Sequence, residues 1–484
     1  MVLIPGIALT YHTLMRFYQR FGAKVSMMNS RMSPGERFDQ YERAKKGEIR
    51  IMVGPRSALF TPFSDLGIII IDEEHEPSYK SETVPRYHAR ETAIARAKMQ
   101  QATVVLGSAT PSVESFSRAK SGEYKMLTLP TRISGRKLPT CEIVDLREEL
   151  RAGNRSVLSR RLQELMADRL QKKEQTMLFI NRRGLLGFVS CRACGHVIKC
   201  PHCDVSLSLH RGDRMRCHYC GYETRKPQVC PSCGSKYIGG FKAGTQKFEE
   251  VVKQTFPTAR VLRMDMDTTR GKHGHQEILE AFRRQEADIL IGTQMIVKGH
   301  DFPNVTLVGV LAADLSLNAS DFHSGERTFQ LLTQAAGRAG RGEIPGNVVM
   351  QTYQPKHYSI VAAKEQNYEA FYEEEIAYRE LMDYPPASHM LLILVTSEKE
   401  EDADLCAKEL AETIEKEASQ VVCLGPSDAA VAKVNDIYKK VIYCKHRDYE
   451  QLISVKDRIM ERIQQEQNFA KVMVWFAFDP MHQA

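Results

Sequence analysis

Four consecutive isoleucines, Ile68–Ile71, run directly into Asp72–Glu73–Glu74–His75. A run of β-branched residues reads as a strand buried on both faces, as in a parallel sheet. The acidic side chains follow at the strand's carboxyl end, where open α/β sheets place their ligands. An aspartate there can hold Mg2+ on nucleotide phosphates, and the next carboxylate can orient or deprotonate an attacking water. The alternative is a core strand leaving into a solvated acidic turn, and the surrounding chain decides between them.

Apolar strands alternate with helices on both sides of this stretch. Strands are expected over 2–10, near Val25, over Ile49–Val53 and over Thr103–Leu106, with helices from about Tyr11 to Phe21, through Arg37–Lys46 and over roughly 89–100. Such alternation is the signature of a parallel sheet covered by helices. A second block of the same kind has helix 159–172, strands near Thr176–Ile180, Arg260–Met264, Asp288–Gly292, Val305–Leu311 and Asn347–Tyr353, and helices 275–285 and 324–336. Two such sheets in series suggest two lobes with a cleft between them. The stretch from Gly107 to Arg155, with Pro111, Pro130 and Pro139, reads as an interdomain connection. A tail of order β-α-β-β-α-β over 389–478 is ferredoxin-like, with no catalytic constellation of its own. The 484 residues are too many for one core.

Eight of the twelve cysteines fall between Cys191 and Cys233 as four C-x-x-C pairs: Cys191/Cys194, Cys200/Cys203, Cys217/Cys220 and Cys230/Cys233. Four pairs suffice for two tetrahedral four-cysteine zinc sites, which leave no open coordination position and are therefore structural. Gly195, Gly221 and Gly234 follow the second cysteine of three pairs, where positive φ lets backbone N–H groups approach sulfur. The pairs can combine in three ways. The second and third enclose a loop of ordinary ribbon length, which leaves the first and fourth together in a nested arrangement. His196, His202, His210 and His218 are read as bystanders.

The excess of 67 basic over 60 acidic residues, +7 net, permits a nucleic-acid partner without requiring one. No apolar run has the length of a membrane span, the start lacks the features of a signal peptide, and the clustered cysteines point to metal in a reducing compartment. A cytoplasmic protein with no membrane partner is expected.

Further segments complete a pattern. Gly107–Ser108–Ala109–Thr110 ends the strand after the acidic one, and Gly292–Thr293–Gln294–Met295 with Lys298–Gly299–His300–Asp301 ends a strand of the second block. Gln334–Ala335–Ala336–Gly337–Arg338–Ala339–Gly340–Arg341 supplies two arginines suited to the charge on a transferring phosphoryl group. The loop holding Tyr79, Lys80, Arg86, Tyr87, His88 and Arg90 mixes rings with cations, as single-stranded nucleic acid requires.

In this order the motifs DEEH, SAT, GTQMIVKGHDFPNVTLV and QAAGRAGR resemble the superfamily-two helicases. The four cysteine pairs, with SALFTP at 57–62, YHAR at 87–90, LFINRRG at 178–184 and MDYPP at 382–386, narrow the resemblance to the primosomal replication-restart helicases. The resemblance implies an α/β protein of two RecA-like lobes, a zinc-binding insert in the second, and a small α+β C-terminal domain. Its boundaries would be lobe 1 at 1–130, a linker at 131–158, lobe 2 at 159–190 and 235–375, the two-zinc insert at 191–234 and the C-terminal domain at 376–484. It implies ATP with Mg2+, two zinc ions, 3′→5′ unwinding of forked or single-stranded DNA, and primosome partners including a single-stranded-DNA-binding protein. Asp72 would be the Mg2+ ligand, Glu73 the residue acting on water, and Arg338 and Arg341 the arginines at the γ-phosphate. His75, Ser108, Thr110 and Gln334 would couple nucleotide to DNA. Thr10, Arg56, Ser57, Tyr79, Lys80, Arg86, Tyr87, Arg90, Thr293 and Lys298 would touch the strand.

The chain departs from the family pattern at Gly6, Pro55 and Gln246, and it contains no Gly-x-x-x-x-Gly-Lys-Ser/Thr loop. The family's phosphate loop and fork-binding region are expected to lie before Met1. Two readings follow: an ATP-driven DNA helicase, or a DNA-binding primosome scaffold without its own ATPase. An RNA helicase is a third, against which the zinc insert and the YHAR loop speak.

Overall fold

The computed structural model describes residues 1–131, 138–180, 187–240, 245–265, 268–269, 274–297, 302–465, 469 and 471–482; the side chains of 7–13, 211, 275, 295 and 297 are not described. The chain divides into two compact units, Met1–Met126 and Leu127–Ala484.

In the first unit, β1 (Val2–Leu3), β2 (Val25–Met27), β3 (Ile51–Gly54), β4 (Ile68–Asp72) and β5 (Thr103–Gly107) form a five-stranded sheet of order β2-β3-β1-β4-β5. Every pairing is parallel, with Asp72 opposite Gly107 and Leu3 opposite Gly54 and Ile71. The carboxyl ends of β3, β4 and β5 therefore share one edge. The isoleucine run is buried on one face rather than on both. Ile69 and Ile71 are fully buried against Leu59, Ala93 and Ala97, whereas Ile68 is 43% exposed. Side chains alternate along a strand, and among the described residues the half-buried Ile70 on the other face shares a cluster with Leu14 and Phe17. The helix bearing those two residues spans Ile7–Phe21, starting earlier than its apolar pattern suggests, after Gly6 at φ 90°.

The second unit opens with β6 (Thr140–Asp145) and β7 (Gln175–Phe179). The cysteine-rich segment follows with β8 (Val189–Cys191), β9 (Ser208–Leu209), β10 (Arg214–Arg216), β11 (Glu223–Arg225) and β12 (Ile238–Gly240). Then come β13 (Val261–Met264), β14 (Ile289–Gly292), β15 (Val305–Val310) and β16 (Asn347–Thr352). A six-stranded parallel sheet runs β13-β14-β7-β15-β16-β6. Strands β7 and β15 at its centre are buried at every position, and Met177–Phe179 and Leu307–Val308 supply their apolar cores, while Gln175, Thr176 and Thr306 are buried polar residues. The segment expected to be only a linker is part of this sheet: Thr140–Asp145 is its edge strand, and Leu146–Arg151 is a helix. An edge strand has one partner and half-exposed side chains, so it lacks the apolar signature.

The tail is β17 (His389–Ser397), β18 (Val422–Val434), β19 (Ile437–His446) and β20 (Met473–Phe478), with helices Glu400–Glu417 and Tyr449–Gln465. Its antiparallel order, β18-β19-β17-β20, is ferredoxin-like. Leu391, Ile393 and Val395 face the two helices through Leu410, Ile414 and Leu452. Met390, Leu392 and Leu394 face the other way, onto Leu207, Met215 and Tyr219 of the cysteine-rich segment. The tail and that segment thus share one core. Among the described residues no helix is long and apolar enough to cross a membrane.

Candidate active-site edge, loop and metal centres

The acidic strand end of the first unit is a tight turn. Glu73 takes φ 48°, unusual for a residue with a side chain, and its N–H returns to Asp72 Oδ1 at 3.1 Å. The N–H of Glu74 bonds the carbonyl of Gly107 at 3.1 Å, fixing the turn to the end of β5. Desolvation at the sheet edge raises the pKa of Asp72 from its ordinary value, against the opposing pull of the Glu73 N–H and His75. The Glu73 carboxylate stands 3.6 Å from His75 Nδ1, and that nitrogen lies 2.7 Å from Ser108 Oγ. Ser108 Oγ also accepts the N–H of Thr110 at 3.0 Å. Backbone strain at such a turn is characteristic of functional sites. The turn thus assembles a carboxylate pair, an imidazole and a hydroxyl at one sheet edge.

Glu74, to which sequence gave no role, is the most enclosed of the three acidic residues in the turn, 2% exposed. Its carboxylate accepts from the N–H of Ser112 at 2.6 Å, the Oγ of Ser112 and Ser115 at 3.2 and 2.8 Å, and Arg90 Nη1 at 3.3 Å. Arg90 also donates to Ser112, Ser115 and Glu91. Its burial opposes the charge, but Glu74 and Glu91 outweigh it and hold the guanidinium protonated.

Two residues expected to touch nucleic acid are therefore turned inward. Arg90 is 8% exposed and committed to this network. Tyr79 is 1% exposed and donates its hydroxyl to the carbonyl of Asp72 at 2.7 Å, beneath the turn rather than on the surface. Arg56 is a strut: its Nη1 donates to the carbonyls of Ser78 and Lys80 at 2.9 and 2.6 Å. Lys80, Arg86 and Tyr87 stay half-buried at the surface, on a loop closed by a bridge between Lys80 and His88, and Ser57 is half-buried beside Arg56. The side chain of Thr10 and all of Lys298 lie outside the described residues.

In the second unit Thr293 follows the end of β14, half-buried. Gln334 sits in the last turn of helix Ser324–Ala336, with Arg338 and Arg341 in the turns beyond it. Arg341 Nε donates to the carbonyl of Gly337 at 2.8 Å. Gly340, at φ 66°, lies so close to Gly346 that a Cβ would stand 2.3 Å from its nitrogen, so the backbone here admits only glycine.

The eight cysteine sulfurs gather in the nested arrangement, Cys191, Cys194, Cys230 and Cys233 in one group and Cys200, Cys203, Cys217 and Cys220 in the other. Sulfur–sulfur distances are 3.7 Å for Cys191–Cys233, 3.6 Å for Cys194–Cys230 and 3.5 Å for Cys200–Cys220. A tetrahedron with Zn–S bonds of about 2.3 Å has edges of about 3.8 Å, so both groups fit zinc, and none of these spacings is a disulfide. Each pair turns alike. The N–H after the second cysteine returns to the first cysteine's carbonyl, at Gly195, Gly221 and Gly234 with φ 70–81° and at Asp204 with φ 51°. The four histidines join neither group. The second group lies in the core shared with the tail, where Tyr384 donates its hydroxyl to the carbonyl of Cys203 at 3.0 Å.

Residues 1–119 match the family model for DEAD/DEAH box helicases and 240–343 that for the helicase conserved C-terminal domain. Residues 200–225 match the PriA DNA helicase Cys-rich region, and 380–481 the primosomal protein N C-terminal domain. The chain is 48% identical to the replication restart protein PriA of Bacillus subtilis, covering 99% of this chain and 60% of that one. It is 44% identical to that of Synechocystis, covering 95% and 57%, and 34% identical to that of Borreliella burgdorferi, covering 95% and 69%. The chain thus spans roughly three-fifths of the length of these curated relatives.

Proposed function

Since this chain belongs to the replication restart protein PriA family, we propose that it supplies motor and zinc-bearing elements of an ATP-driven DNA helicase that unwinds forked DNA 3′→5′ and helps assemble a primosome. The observation that carries this is the sheet edge where Asp72, Glu73, His75 and Ser108 converge. On this reading Asp72 would hold Mg2+, whose charge would offset that of the ATP phosphates. Glu73, held by its strained turn beside His75, accepts the proton of the attacking water. His75 then reports the state of the phosphates to Ser108 and Thr110. Gln334 couples likewise from the second unit, where Arg338 and Arg341 offset transition-state charge. The strand is met by Lys80, Arg86 and Tyr87, with Thr293, Ser57, Thr10 and Lys298 as further backbone contacts.

The two cysteine groups would hold structural zinc. A four-thiolate ion offers no open position for chemistry, and its work is to fix the knuckles that form a core with the tail. A cytoplasmic location, and partners among primosome proteins and single-stranded-DNA-binding protein, complete the proposal.

One observation favours a second reading. The 484 residues contain no Gly-x-x-x-x-Gly-Lys-Ser/Thr segment, and carboxylates have nothing to act on unless backbone N–H groups and a lysine fix the β- and γ-phosphates. By themselves these residues would then bind DNA and scaffold assembly without turnover. A DNA-stimulated ATPase assay on this chain and on a longer version carrying such a loop tests both readings. Turnover by the longer form alone, abolished by Glu73→Gln, is expected. No turnover by either overturns the motor reading, and turnover by the shorter form overturns the scaffold reading.

A further inference from the structure

Phe60 ends the short helical turn Arg56–Phe60 and is left 49% exposed. Isolated surface aromatics are common and need no explanation, but this ring is fixed from several directions. Its neighbours Leu59 and Thr61 are both fully buried, and Arg96 donates to both of their carbonyls. Arg56, at the start of the same turn, laces it to the loop through the carbonyls of Ser78 and Lys80. The ring of Tyr87 stands edge-on to Phe60, centroids 5.1 Å apart at 81°. Tyr87 is itself held, since its carbonyl accepts the N–H of Ser81 at 2.8 Å. The loop adds cations. Lys80 is half-buried there, and the shielded Nε of Arg86 makes no hydrogen bond among the described residues.

We infer that Phe60 is a base-stacking residue for single-stranded DNA, its open face taking one nucleobase while Tyr87 backs it edge-on. A rigid ring with an exposed face offers stacking at little entropic cost, because the side chain is already ordered. Every base has a π-face, so such a contact adds affinity without sequence preference. Cations of the same loop can meet the adjoining phosphates. The sequence pattern gives Phe60 no role of its own, and only the tertiary fold brings it against Tyr87.

The inference rests on the DNA-binding reading, and its test separates the two. Binding of the 484-residue chain to a single-stranded oligonucleotide containing 2-aminopurine is followed by fluorescence across a salt series. Phe60→Ala is expected to weaken binding about tenfold and to abolish the stacking quench. The slope of log affinity against log salt should stay unchanged, because no cation is lost. Phe60→Trp should retain affinity and quench. Unchanged affinity and quench in Phe60→Ala would overturn this inference alone. So would a loss accompanied by a flatter slope or a lower melting temperature, since the ring would then be structural. Failure of the unaltered chain to bind overturns the DNA-binding reading and this inference with it.

Discussion

Glu74 and Arg90 meet 3.3 Å apart in the interior of the first unit, where they are 2% and 8% exposed. The pair ties the turn after β4 to the start of helix Ala89–Gln100, and through Ser112 and Ser115 to helix Val113–Lys120. The turn that carries Asp72, Glu73 and His75 is thus held to two helices by one buried charge cluster.

Arg90→Ala strands the Glu74 carboxylate in the interior, and breaking such a pair costs about 3–5 kcal/mol. Local opening should rise accordingly, read as lost hydrogen-exchange protection in residues 68–76 and 112–120. Arg90→Ala together with Glu74→Gln should recover part of the loss, because no uncompensated charge remains.

Arg86 should behave differently. Arg86→Ala removes one surface cation, lowering single-stranded DNA affinity and reducing the salt slope by about 0.7. Its hydrogen-exchange pattern should match the unaltered chain. An unchanged slope would assign Arg86 to the loop's packing instead.

The 2.7 Å contact of His75 with Ser108 predicts a coupling phenotype. In a form that carries the phosphate loop, His75→Ala or Ser108→Ala should lower DNA stimulation of ATP hydrolysis while retaining hydrolysis without DNA. The double variant should be no worse than either single one, since both remove the same link.

Two neutral histidines cap helices through Nδ1. His88 accepts from the N–H of Arg90 at 3.2 Å and His357 from that of Ser359 at 3.3 Å. Burial is the main cause that lowers their pKa from 6.5, to about 3 for His88 and about 4 for His357. Their contribution to stability is therefore complete above about pH 6.5 and is lost as pH falls toward those values, by up to about 1.4 kcal/mol per unit for each. A protonated Nδ1 can no longer accept, so the caps fail with the charge. His88→Asn, a cap that does not titrate, should flatten the acid side of the stability profile measured by denaturant unfolding.

Metal analysis should give two zinc ions per chain, with Cys191→Ser and Cys200→Ser each lowering the stoichiometry by one. Cys200→Ser should also lower the melting temperature more. Its group lies in the core shared with the tail, whereas Cys233 of the other group is exposed. Equal effects would contradict that placement.

The four C-x-x-C pairs and the nested grouping were legible in the sequence, because knuckle geometry is local and glycine marks the positive-φ position in three of the four turns. The fourth, at Asp204, carries no such mark. The two parallel sheets and the ferredoxin-like order of the tail were legible too, since strands buried at their centres must be written in apolar residues. Edge strand Thr140–Asp145 was not, because an edge is only half covered and its composition is ordinary. Side-chain direction in the loop after β4 was also out of reach. Tyr79, Arg86, Tyr87 and Arg90 look equally suited to nucleic acid in sequence, yet Tyr79 and Arg90 turn inward to serve Asp72 and Glu74. That choice depends on partners up to 41 positions away, among them Ser115 on Glu74. Composition and spacing select which residues can form a buried polar network; only the packed fold, which must satisfy every buried charge, decides which ones do.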